Sequence, residues 1–235
     1  MIRNLKWKAD TGFNRNYWGM EEKGFRQPGS ARPRPGAPEP GGVQALPGTY
    51  KVVVGLGNYA DSTFITIKDD PRLGNRNDIK LAQRKLSERL RKSIDKLTTG
   101  MDRIIESEEI LTKMQTQLRG LEGKESDTLR KSTTSMQDSL KSIREFISGK
   151  PSEAQGISRP PQVTVISKMQ EANQIISAKM ISPGVQEERM VENAELMIGN
   201  ALLRINKFFD GPWKDYRKKV EETKVSLFKD YKPIE

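Results

Sequence analysis

The residues best able to do chemistry are carboxylates set close together. Glu106, Glu108 and Glu109 fall within one turn, and Glu187 and Glu188 are adjacent. A pair of carboxyl groups about 5 to 9 Å apart across a cleft could hydrolyse a glycoside. Nothing in the sequence places these in a pocket. Acidic residues at the start of a helix complement its macrodipole, which accounts for Glu187 and Glu188 without catalysis. The chain has no cysteine and no histidine, so thiolate nucleophiles, the usual general base and the commonest metal ligands are missing. Gly55-Leu56-Gly57 opens like a dinucleotide fingerprint, but the third glycine is absent and no helix follows. There is no phosphate-binding Gly-Lys-Ser/Thr loop and no G-x-S-x-G elbow. The expectation is a chain without catalytic, cofactor-binding or metal-ligating residues, and so not an enzyme.

Binding chemistry is the alternative. Trp7, Tyr17 and Trp18 could stack on sugar rings, although strand alternation would also let Trp7 or Trp18 fill a core. The net charge of +10 suggests a polyanion. It is spread evenly, however: residues 1–76 carry 12 basic and 7 acidic side chains, and the rest carries 29 and 24, so each part is +5. The densest basic run, Arg84 to Lys92, has no interleaved aromatics for base stacking. It reads as a solvated helix face, and nucleic acid is an unfavoured partner. Methionines such as Met101, Met114, Met136, Met169, Met190 and Met197 recur at helical spacing and suit core filling.

The elements that would carry these residues divide into two. Apolar residues are 34% and charged residues 31% of the 235, with a mean hydropathy of −0.72; that balance fits long amphipathic helices. Residues 1–72 read as β: Leu5 to Ala9 and the stretch Phe13 to Trp18 alternate, while Tyr50–Leu56 and Ser62–Ile67 form a hairpin about Gly57-Asn58. The proline-rich stretch 27–42 forbids a ladder and predicts an extended surface loop. Trp18 and Tyr50 are the expected β core. Four strands are too few for a free-standing sandwich, so this part is expected to be the back half of a sandwich whose front half lies upstream.

From residue 77 the period becomes helical. Leu90, Leu97, Ile104, Leu111 and Leu118 recur every seventh position, the mark of a coiled-coil seam, with Leu86, Ser93, Gly100, Ser107, Met114 and Leu121 on its other register. Further stripes (Leu129 to Ile147; Val163, Ile166, Met169, Ile176, Met180; Val191 to Phe208; Trp213 to Tyr231) predict helices over 77–120, 126–148, 162–181, 185–208 and 212–230. The predicted class is α+β, mainly α, with the helices in an antiparallel bundle. Asp210 is expected to cap the last one. No apolar run spans a membrane, and the N-terminus lacks a signal-peptide core.

Ile2-Arg-Asn-Leu-Lys6, Gly12-Phe-Asn-Arg-Asn-Tyr-Trp-Gly-Met20, Pro47-Gly-Thr-Tyr50 and Lys68-Asp-Asp-Pro-Arg72 together resemble the Ig-like fold of the hook-cap type. With the helical region and the closing Ser226-Leu-Phe-Lys-Asp-Tyr-Lys-Pro233, they are similar to the C-terminal region of bacterial exported proteins that carry a sortilin-like β-propeller and are labelled glycosyl hydrolases. The resemblance implies export and a structural or interaction role as part of a larger protein, with an upstream propeller or another protein as partner and a glycan as a possible ligand. It implies, as the alternative, a fragment of a glycan-active hydrolase whose active site lies in the propeller. This chain contains no propeller, so no catalytic residue transfers. A basic polyanion-binding module is the remaining alternative.

Overall fold

The computed structural model describes residues 1–151, 162–178 and 180–223. The molecule is mainly helical, with two small antiparallel sheets preceding the helices.

Helix α1 (Asn77–Leu118) runs for 42 residues, about 63 Å at 1.5 Å per residue. Its seam faces inward throughout: Leu97, Ile104, Leu111 and Leu118 have no exposed surface, and Leu90 almost none. Helix α2 (Lys124–Ser148) follows Gly123, whose φ of 125° suits only glycine. Gln115 accepts a hydrogen bond from Gln137 at 3.1 Å and Glu108 one from Arg144 at 2.8 Å. Seven residues back along α1 thus matches seven forward along α2, and the two are antiparallel.

Helix α3 (Val165–Ala178) is shorter than the expected 162–181. Thr164 and Ser167 hydrogen-bond each other's backbone N–H at 3.0 and 2.9 Å, a reciprocal cap that fixes the start. Val163 and Met180, assigned to its stripe by sequence, are both exposed. Its first turn sits beside the end of α2, where Thr164 lies against Gly149. Helix α4 (Val185–Asp210) then returns alongside α1. Arg89 bonds Glu195, and Gly100 lies against Leu202 and Ile205, so residue numbers rise together and α1 and α4 are parallel.

Helix α5 (Pro212–Glu222) continues α4 beyond Gly211, with Pro212 in its first turn. Asp210 does not cap it, contrary to the sequence expectation; it ends α4 and pairs with Lys214 at 3.2 Å. Arg204 lies over the Phe146 ring, and Thr133 shares a 2.9 Å hydrogen bond with Tyr216. The α4–α5 pair therefore runs antiparallel to α2. Among the described residues five helices make three passes: 42 residues in the first, 25 and 14 in the second, 26 and 11 in the third. Consecutive passes are antiparallel, so the first and third are parallel. Leu227 and Tyr231 of the last expected stripe, and the linker 152–161, lie outside the described residues.

The β part departs further from expectation. Leu5–Ala9 and Phe13–Trp18 are not strands, because neither finds a neighbour to pair with. Asn14 instead closes a loop through bonds to Asp10 and Gly12. The first sheet pairs β1 (Glu21–Lys23) with β2 (Gly41–Gln44). The proline-rich stretch thus does reach a ladder at its end, through Gly41 and Gly42. The hairpin β3 (Gly48–Leu56) and β4 (Tyr59–Ile67) pairs all nine residues, Gly48 with Ile67 to Leu56 with Tyr59. Gly57 occupies the first turn position at φ 58°. The described strands form no Ig-like sandwich; they make two separate two-stranded sheets.

The seam is the stability determinant. Ile104→Asp would bury an unpaired carboxylate and should cost about 4 kcal/mol or more. Thermal melting followed by circular dichroism checks this, and an unchanged melting temperature would exclude the seam assignment.

Candidate functional site

Two surfaces stand out: the segment that clamps the N-terminal residues to α1, and the hairpin that this clamp holds out from the body.

The clamp is polar. Asp102 is on the outward flank of the α1 seam, with its side chain 11% exposed. It accepts bonds from Arg26 and, at 3.1 Å, from Arg32. Arg32 also reaches Glu106 at 2.5 Å. Further toward the start of α1, Arg84 bonds Glu22 at 2.6 Å and Lys80 pairs with Asp69. Within the segment, Arg3 donates to the carbonyls of Glu22, Glu39 and Pro40, tying the β1–β2 loop shut. Gly24 permits that closure: a Cβ there would stand 2.0 Å from the Gly41 carbonyl oxygen. Phe25 adds apolar contact with the helical core.

Burial pushes the Asp102 carboxyl up, but the hydrogen bonds from Arg26 and Arg32 outweigh it and hold Asp102 below the usual carboxylate range. Glu39 is lowered too, first by its bond from Lys23 and then by the Asn4 N–H.

The hairpin is different. Tyr50, Val52, Ile65 and Ile67 on one face of its base are half-buried. Trp18 packs edge-on against Tyr50, with centroids 6.2 Å apart, and donates its indole N–H to the Glu21 carbonyl at 2.9 Å. Tyr50 donates its hydroxyl to the Leu46 carbonyl at 2.6 Å. The expected β core is thus a half-buried bracket. Val54, Leu56 and Tyr59 toward the tip, and Val53 and Phe64 on the opposite face, are 57 to 84% exposed. Among the described residues each strand pairs only with the other.

The residues singled out by sequence are dispersed. Glu106 and Glu108 are engaged by Arg32 and Arg144 respectively. Glu187 is buried at the start of α4 and accepts the Gly184 N–H at 2.7 Å. The Arg84–Lys92 run spends three arginines on carboxylates: Arg84 on Glu22 and Glu88, Arg89 on Glu195, Arg91 on Asp95. Trp7 and Tyr17 are exposed. Among the described residues no cluster of three metal-ligating side chains occurs, and no helix is long and apolar enough to cross a membrane. Sequence reasoning missed Arg26, Arg32 and Asp102, since charges some 70 positions apart leave no local pattern.

No family model, no curated protein and no solved structure matches this chain.

A carboxylate with a depressed folded-state pKa contributes stability above its unfolded value of about 3.9 and loses it as pH falls through the lowered folded value. Acidification below about pH 3.9 should therefore free the N-terminal segment. Asp102→Asn should weaken the clamp by about 1 to 3 kcal/mol at neutral pH. Limited trypsin cleavage after Lys23 and Arg26 reads the Asp102→Asn effect at neutral pH, since Arg32 and Arg34 are each followed by proline; equal cleavage of wild type and variant would contradict it.

Proposed function

We propose that the chain is a non-catalytic interaction module, in which a three-pass helical bundle presents the β3–β4 hairpin for pairing with strands supplied from outside it. The observation that carries this reading is the hairpin itself. All nine residue pairs form, apolar side chains at the tip and on the far face lie in solvent, and among the described residues neither outer strand edge is paired. An isolated two-stranded hairpin is marginal in water, and an open apolar edge is a template for strand addition. The neighbouring strands would come from an Ig-like sheet in a larger exported protein, with the helical bundle as brace. The dispersal of the acidic residues supports a role without catalysis, and the internal pairing of the basic run supports a protein partner over a polyanion.

The test uses the assembly formed in the source cells. Val54→Lys with Leu56→Lys should remove the chain from any larger complex on size-exclusion chromatography, while helix content and melting stay within about 0.5 kcal/mol of wild type. A complex of unchanged size with the double variant would refute the hairpin as the contact.

A further inference from the structure

Independently of the hairpin's role, the outward face of α4 carries a second seam that the described residues leave exposed. Glu192, Leu196, Gly199, Leu203 and Asn206 follow one another at alternating steps of four and three, the spacing of a coiled-coil seam. They line one shallow groove of about 640 Å³. Leu196 and Leu203 are 64% and 67% exposed.

Gly199 sits between them, in a helix interior where glycine is the least favourable residue after proline. The other mid-helix glycine, Gly100, has an internal reason: a Cβ there would come within 2.9 Å of Ile205. A Cβ on Gly199 would meet nothing within 4 Å. None of the described residues fills the room beside Gly199.

The charges indicate which body. A two-fold axis between Gly199 and Asn200 would set each α4 residue opposite its mirror position on a second, antiparallel α4. Leu196 then meets Leu203, Glu192 meets Lys207, and Arg189 meets Asp210. Both flanking pairs are opposite in sign, and all four of these charged residues are exposed. Asp210 also pairs with Lys214, an exposed contact of the weak, exchangeable kind. Antiparallel self-pairing is the isologous arrangement of a symmetric dimer, and glycine at its centre allows close helix approach.

We propose that the protein self-associates through α4, forming a symmetric dimer about an axis between Gly199 and Asn200. Sedimentation equilibrium of the full chain tests it. The mass should rise with concentration from 26.6 kDa toward twice that value. Leu196→Glu with Leu203→Glu should hold it at the monomer mass with unchanged helix content. Arg189→Glu should weaken the dimer about tenfold by facing Asp210 with a like charge, and adding Asp210→Arg should restore it. A wild-type chain that stays monomeric at all concentrations overturns the proposal. So does a dimer that survives the leucine variants, one that the charge swap fails to restore, or one abolished only by changes in the hairpin.

Discussion

The buried seam of α1 is the constraint on which the rest of the structure depends. Every other part is placed by reference to it. The second pass covers it through Leu129, Leu140 and Ile147, then Val165, Met169 and Ile176; the third through Val191, Ile198, Ile205 and Phe208. At Gly100 the absence of a side chain lets Ile205 and Leu202 of α4 settle against α1. At the far end Tyr216 closes the core, its ring beside Trp213 and its hydroxyl on Thr133. A single rigid rod some 63 Å long follows from this burial, since an isolated helix gains little from propensity alone.

The same rod holds the N-terminal segment, but by other means. Its inward positions are occupied by the bundle, so what remains for residues 1–46 is the flank, where Asp102, Glu106, Arg84 and Lys80 are found. The attachment is accordingly ionic, with Phe25 as a minor apolar anchor. That asymmetry has a functional consequence. The helical body is held mainly by hydrophobic burial, which is insensitive to pH, whereas the N-terminal segment is held by charges that respond to both salt and pH. The hairpin gets support only at its base, from Trp18 and the loop ending at Leu46.

The helical half was legible because burial imposes a period. Leu90 to Leu118 at every seventh position could hardly be anything but one face of a long helix, and the α4 stripe from Val191 to Phe208 was as regular. What periodicity cannot convey is how helices join. Nothing in the apolar stripes distinguishes five separate rods from three passes, because that depends on Gly211 letting α5 continue α4 and on Thr164 restarting the chain beside Gly149. The hairpin was legible from β-branched residues around Gly57-Asn58. The expected strands Leu5–Ala9 and Phe13–Trp18 failed for the converse reason: alternation permits a strand, but only a neighbour makes one. The clamp was illegible, since Arg26 and Asp102 are joined only by the folded geometry. The exposed tip was likewise hidden, because exposure is a property of what surrounds a residue.

Amide hydrogen exchange, read residue by residue on the isolated chain and on the assembly from source cells, goes most directly to the central claim. If the hairpin is an open interaction element, amides of β3 and β4 in the isolated chain exchange orders of magnitude faster than those of the α1 seam, and one outer edge becomes protected in the assembly. Hairpin amides as protected as the seam in the isolated chain, or unprotected in the assembly, would contradict it.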